Sequence, residues 1–259
     1  MARGEIRNSL RRLEGLTSQT LQQKWDEYCT MNCVFQHLCL LEDLGLDILR
    51  DRSRGKVVVH INRLVELTYL GFMYSMLFGD YFSSARSLRW IYEGGLAAFG
   101  ASRDGEVLTG DHNDSGYLSI AKFERWMRDL DLRKPRAKFG PTNRERILML
   151  LGLSQEERDR YKGLYSDLCR YSHLSKISLR RDTLVPNLTI DLREFSRVYR
   201  MNVRTMDLYM FAILKSYEAI DGIEIFLNGY RSWFSPGNSH TRLLASGFPL
   251  TKSYVYGQR

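Results

Sequence analysis

The sequence contains little proline and little cysteine. Five prolines in 259 residues argue against a long disordered region, because such regions are usually enriched in proline. The four cysteines lack the paired CxxC spacing that most structural zinc sites show. Cys29, Cys33 and His37 would share one face of a helix, but small buried thiols explain that face as well. We therefore predict no metal and no cofactor.

Long apolar runs are also missing. The longest, LVELTYLGFMYSMLF at 64–78, contains Glu66 and is shorter than the roughly 20 residues that a helix needs to span a bilayer. The opening MARGEIRNSLRR is charged and is followed by no apolar core, so the sequence predicts no signal peptide. We expect a cytoplasmic protein with reduced thiols and no membrane partner.

The familiar catalytic motifs are absent. The chain has no Walker-type phosphate loop, no GxGxxG, no HExxH and no GxSxG. The sequence therefore gives no support to a nucleotide hydrolase, a dinucleotide-dependent enzyme, a zinc protease or an esterase.

Arginine, by contrast, is abundant. The chain has 38 basic and 30 acidic residues, a formal net charge of +8, and arginine dominates the basic residues. Guanidinium groups bind phosphate through two parallel hydrogen bonds, so this excess favours an anionic partner. A GC-rich genome or a hot environment would produce the same excess. The positions of the arginines are therefore more informative than their number.

Apolar residues recur at intervals of three and four through most of the chain, which predicts helices. The stretch VVVHI at 57–61 has strand-forming residues, but we interpret it as the entry to a helix because little else in the chain has a strand pattern. Gly79 is one of several candidate kink points in the second helical segment. The main expected helical segments are 18–50, 60–100 (one helix or a broken pair), 117–132 and 191–234.

Ser154 and Glu157 have the spacing of a capping box, which predicts that a helix starts there and runs towards Arg170. Together these patterns predict an all-α helical bundle with long core helices. We expect this bundle domain to cover residues 1–234, and residues 235–259 to form a poorly periodic, loosely attached tail.

Basic residues concentrate in two segments. The first is the connector 133–146, whose six basic residues face one acid; they are Arg133, Lys134, Arg136, Lys138, Arg144 and Arg146. The second lies on the 191–234 helix, where four residues at i, i+4, i+7 and i+11 form what we term the arginine ridge: Arg193, Arg197, Arg200 and Arg204.

At 100° per residue, the arginine ridge falls within a wedge of roughly 60° on one helix face. Neighbouring members lie about 5–6 Å apart, a spacing that suits a phosphate backbone. The two basic segments therefore predict a nucleic-acid contact. The alternative is a solvated face that acids neutralise, and Asp207 is one acid already on that side.

The stretch RYSHLSK at 170–176 places an arginine, a tyrosine and a histidine close together. We expect His173 at or just past a helix end. A neutral imidazole there can act as general base on a ribose 2′-hydroxyl while Arg170 steadies the phosphate. The alternative, which the spacing alone favours, is a half-buried histidine whose ring caps the terminal carbonyls.

Two segments carry a resemblance to a known family. GDYFSSARSLRWIYEGGLAAFGA at 79–101 places Arg89 and Glu93 one turn apart in an apolar helix, and YSDLCRYSHLS follows about eighty residues later. This pairing, within residues 60–175 or so, resembles helical prokaryotic proteins related to the HEPN (higher eukaryotes and prokaryotes nucleotide-binding) domains. The resemblance implies a helical bundle, often dimeric, with metal-independent ribonuclease activity in its active members and relatives in toxin–antitoxin and phage-defence systems.

Only one residue of the family's ribonuclease signature is matched in this sequence. His173 corresponds to the signature histidine, but Arg170 precedes it by three positions, whereas the family has four to six residues between the two. Arg89 and Glu93 have the spacing of an ion pair that fixes the bundle.

Three hypotheses follow from the sequence. The first is a helical module that binds nucleic acid, with RNA favoured, or a protein partner, as a homodimer or part of a larger assembly. The second is a HEPN-like ribonuclease with His173 as base. The third is an enzyme of another type with a pocket formed by residues 79–100 and 160–180.

Overall fold

The computed structural model describes residues 14–15, 17–49, 53–103, 141–172, 191–218, 227–228, 231 and 247–257. These residues form an all-α bundle, and no strand occurs among them. In chain order the helices are α1 (Trp25–Leu49), α2 (Ser53–Leu77), α3 (Tyr81–Arg103), α4 (Pro141–Leu150), α5 (Gln155–Ser172), α6 (Leu192–Glu218) and α7 (Pro249–Val255). The predicted fold class is confirmed, and the predicted helix at 117–132 lies outside the described residues.

The second predicted helical segment is a broken pair. α2 begins at Ser53, so VVVHI lies inside a helix, as interpreted from the sequence. Between α2 and α3, Gly79 has φ 73°, a left-handed conformation that glycine adopts without steric cost. Asp80 then caps α3 by accepting the backbone N–H of Ser83 at 3.0 Å.

The core lies between α3 and α6. α3 packs against α2, α5 and α6, and every residue from Thr205 to Leu214 of α6 is buried. The two helices approach closely at Gly95, where a Cβ atom would lie 2.9 Å from the Tyr209 ring and 3.2 Å from its Cα. Glycine is therefore required for this crossing.

Buried polar groups join α1, α2 and α6. The Asn62 amide donates to the Leu38 carbonyl at 2.9 Å and accepts the Tyr209 hydroxyl at 2.8 Å. The Tyr217 hydroxyl donates to the Leu41 carbonyl at 3.2 Å. Because each buried donor needs its acceptor, these bonds help to fix the register of the three helices.

The predicted capping box begins α5. The Ser154 hydroxyl accepts the Glu157 N–H at 3.3 Å, and the Glu157 carboxylate accepts the Ser154 N–H at 2.8 Å. This reciprocal pair satisfies two backbone donors at the start of the helix.

The expectation of a loosely attached tail is wrong for residues 247–257. α7 packs on α6 and buries Leu250, Thr251 and Val255. The Asp207 carboxylate of α6 accepts the backbone N–H groups of Leu250 at 3.1 Å and Thr251 at 3.0 Å. A seven-residue helix is too short for the sequence to show a clear helical period. The attachment of α7 depends instead on Asp207, which lies 43 residues before Leu250 in the chain.

Candidate nucleic-acid interface

The arginine ridge lies on the solvent face of α6, and all four of its side chains are exposed. The opposite face of the helix is buried, from Phe195 near its start to Tyr217 near its end. From Arg193 to Arg204 the ridge runs along about 16 Å of helix. The amphipathic pattern of the sequence thus gives the arrangement that was predicted for these four residues.

Within the part of the chain that the structure describes, no member of the arginine ridge forms an ion pair. Asp207, the acid that might have neutralised it, is buried and turned towards α7. The Thr251 hydroxyl also donates to Asp207, at 3.0 Å. Asp207 therefore caps α7 and does not pair with the arginines.

Burial raises the pKa of Asp207 to about 6, although the donors of Thr251, Leu250 and Tyr161 act in the opposite direction. Desolvation is the larger effect because the carboxylate lies under α7.

The middle of the arginine ridge is held by an aromatic contact. The Arg197 guanidinium lies over the Tyr171 ring of α5, 5.3 Å from its centroid. The Tyr171 hydroxyl in turn donates to the Glu194 carboxylate. A cation on an aromatic face keeps its charge and its remaining donors, so this contact orients Arg197 without neutralising it.

A cleft of about 530 Å³ opens at the end of the arginine ridge nearest Arg204. Two ridge members, Arg200 and Arg204, line it, and Asp207 lies in its wall. The other lining residues are Thr30 of α1, Arg160 and Tyr161 of α5, Tyr199 and Val203 of α6, and Gly247, Phe248 and Pro249 before and at the start of α7.

The sequence did not indicate this cleft. Arg160 belongs to α5 and reaches the same site as Arg200 only through the packing of the two helices. Tyr199 of α6 is only partly buried and also lines the cleft. The i, i+4 spacing of Arg200 and Arg204 was the one available signal.

His173 and the connector residues Arg133, Lys134, Arg136 and Lys138 lie outside the described residues. Arg170 is at the end of α5, where it is exposed and pairs with Asp167 at 3.4 Å. The Arg170–Asp167 pair is an ordinary surface ion pair, and such pairs contribute little to stability.

Arg89 and Glu93 form the intrahelical ion pair that their spacing predicted, with Arg89 Nε donating to Glu93 Oε1 at 2.9 Å. The Tyr165 hydroxyl donates to the same carboxylate oxygen at 2.8 Å. Arg144 of the basic connector lies over the Tyr165 ring at 3.9 Å. These residues join α3, α4 and α5.

The side chains of Cys29, Cys33 and His37 on α1 differ in their exposure to solvent. Cys29 is exposed, Cys33 is half-buried, and His37 is buried. Among the described residues, no group of three or more His, Cys, Asp or Glu side chains has an arrangement that could hold a metal ion.

Comparison with protein-family models, with curated proteins and with solved structures finds no match to this chain. The HEPN resemblance therefore stays a prediction, and function has to be argued from the geometry. None of the helices in the described part of the chain combines the length and the apolar character that crossing a membrane requires.

Proposed function

We propose that this protein binds nucleic acid, with RNA favoured, through the arginine ridge of α6. The observation that supports the proposal is the set of four exposed arginines on one helix face, none of which pairs with an acid in the described part of the chain. Guanidinium groups in a row release counterions from a phosphate backbone when they bind it. A protein-internal role would instead be expected to supply acids opposite them.

The exposure of the arginine ridge also bears on the explanation that the arginines serve thermal stability. Arginines that serve thermal stability are expected in ion-pair networks. Arg89 is of that kind, since it pairs with Glu93. Arg193 and Arg204 have no such partner among the described residues.

The proposal is tested by fluorescence anisotropy of a labelled single-stranded RNA, titrated with the protein between about 50 and 200 mM salt. We expect the logarithm of the association constant to fall linearly with the logarithm of salt concentration. Replacing Arg197 and Arg200 by glutamine should lower that slope by about 1.4, because each phosphate contact on a single strand contributes about 0.7.

The matched control replaces Arg63 and Arg86 by glutamine, which removes the same charge from exposed positions on α2 and α3. We expect this variant to retain nearly the whole slope. Equal losses in the two variants would mean that net charge alone attracts RNA. Absence of binding to RNA and to DNA at the lowest salt would overturn the proposal and favour a protein partner for the same arginines.

The ribonuclease alternative is scored in the same samples. Gels of the bound RNA should show metal-independent cleavage that is lost in His173→Ala if the histidine acts as general base. Binding without cleavage would leave the protein a binding module.

A further inference from the structure

The cleft beside the arginine ridge has the size of a small-molecule site. Its volume of about 530 Å³ lies within the range of about 300–1,000 Å³ that is usual for ligand pockets. Helices α1, α5 and α6 and the start of α7 all contribute to its wall. A groove that merely followed the surface of α6 would not draw on four segments.

The cleft combines two kinds of chemistry. Its cationic part consists of Arg160, Arg200 and Arg204, and its aromatic and apolar part includes Tyr199 and Phe248. Arginine provides planar donors for a phosphate group, whereas tyrosine provides a ring on which another ring can stack. A ligand that satisfies both parts carries a phosphate next to a planar aromatic ring.

Tyr199 is positioned to receive such a ring. Its own ring stacks on that of Phe195, with the centroids 6.5 Å apart and the planes inclined by 11°. Phe195 is fully buried and so fixes Tyr199 from the core side. Since Tyr199 is only partly buried and lines the cleft, it offers a preorganised surface there.

Two acids beside the cleft, Asp207 and Glu156, are already engaged. Asp207 accepts the donors of α7, as described above, and the Tyr161 hydroxyl at 3.4 Å. Glu156 pairs with Arg160 at 3.2 Å, but both side chains are largely exposed, so a phosphate can compete for that guanidinium. Arg200 and Arg204 have no ion-pair partner in the described residues.

From these contacts we infer that the cleft binds one nucleotide unit, with its base against Tyr199 and its phosphate between Arg200, Arg204 and Arg160. Where that nucleotide belongs to a strand, the inference rests on the proposed function and defines its substrate as single-stranded. A paired base is held in its stack and cannot enter a cleft, whereas an unpaired base can be turned out of the strand. A free mononucleotide presents the same chemistry.

Arg204→Gln and Arg193→Gln form the matched pair for this inference. Both residues are exposed members of the arginine ridge, and both substitutions remove one charge, but only Arg204 lines the cleft. Each variant should lower the RNA salt slope by about 0.7. Binding of adenosine and cytidine monophosphate, measured by calorimetry, should weaken about tenfold in Arg204→Gln and should be unchanged in Arg193→Gln.

Tyr199 tests the stacking part. Tyr199→Leu should weaken the binding of single-stranded RNA about tenfold. The salt slope should be unchanged, because base–aromatic stacking involves no charge. Tyr199→Phe keeps the ring and should bind as the unmodified protein does. Thermal unfolding of both variants shows whether the loss of binding comes from the cleft or from loss of the contact with Phe195.

The outcomes separate the two proposals. Equal affinity for single strand and duplex, together with no effect of Tyr199→Leu, would overturn the cleft inference while salt-dependent binding to the arginine ridge stands. Mononucleotide binding that Arg204→Gln weakens, without any RNA binding, would support the cleft with a free nucleotide and overturn the proposed function. Inorganic phosphate that competes as well as the mononucleotides would show an anion site without a base, and would also overturn the inference.

Discussion

At the scale of single residues, the carboxyl group of Glu42 gives the protein a pH dependence. Its pKa is raised to about 7 by burial, then by its hydrogen bond to Glu66 and by the charge of Glu66, while Arg63 acts in the opposite direction. An unfolded glutamate has a pKa of about 4.3. The contribution of protonated Glu42 to the free energy of unfolding is therefore fully present below about pH 4.3 and is lost as the pH rises through about 7.

Glu42→Gln should remove this dependence, because the amide resembles the protonated carboxyl group. We expect the free energy of unfolding of the variant to exceed that of the unmodified protein by about 1 kcal/mol at about pH 8, and to differ little at about pH 4.5. The figure is well below the full shift because water still reaches the pair. Urea unfolding followed by circular dichroism at the two pH values measures it.

Asp167→Asn is the control for Glu42→Gln, since Asp167 is a partly exposed carboxylate that pairs with Arg170 on the surface of α5. Its effect on stability should be within about 0.5 kcal/mol. Parallel pH profiles for Glu42→Gln and the unmodified protein would contradict the raised pKa of Glu42.

At the scale of elements, the contact between α3 and α6 depends on the missing side chain of Gly95. Gly95→Ala should lower the free energy of unfolding by about 1–3 kcal/mol, because the added methyl group overlaps the ring and backbone of Tyr209. Gly71→Ala is the matched control on α2, where a Cβ meets nothing within 4 Å. It should stabilise by about 0.5–1 kcal/mol through helix propensity alone.

Thermal unfolding of the two alanine variants gives shifts of opposite sign if the helix crossing is as described. A stabilised Gly95→Ala variant would mean that α3 and α6 lie farther apart at Gly95 than these distances indicate.

Most of this element structure follows from local pattern, and the remainder depends on packing. The capping box at Ser154 is encoded within a few residues, so the sequence predicts it. The break at Gly79 is also local, but the sequence offered Gly79 only as one of several candidate kink points. The wedge of the arginine ridge follows from helix periodicity in the same way. The cleft does not, because Arg160 and Tyr199 meet only when α5 packs beside α6. No spacing rule within one helix indicates such a meeting.

α7 illustrates the same limit more sharply. Pro249 at its start and its seven residues give little helical pattern, which is why the segment was expected to be a loose tail. What attaches it is the Asp207 carboxylate, together with the burial of Phe248 and Leu250. The sequence presents Asp207 as one more acid beside the arginines, and only the fold shows which donors it accepts.

At the scale of the whole molecule, the segment 247–257 should therefore open with a free-energy cost of its own. In native-state hydrogen exchange, we expect the amides of Leu250 and Thr251 to be protected roughly 100-fold or more, an opening free energy of about 2.7 kcal/mol. Asp207→Leu leaves both N–H groups without their acceptor and should abolish that protection, while buried amides of α3 such as Ala97 retain theirs.

Lys252→Ala serves as the control, because Lys252 is exposed on α7 and its side chain is not needed to bury the helix. If the amides of Leu250 and Thr251 exchange at the unstructured rate in the unmodified protein, the segment is a loosely attached tail after all. A global loss of protection in Asp207→Leu would mean instead that α7 and the central bundle unfold as one unit. That result would make α7 part of the single cooperative core, because its removal would then cost the stability of α3 as well as its own.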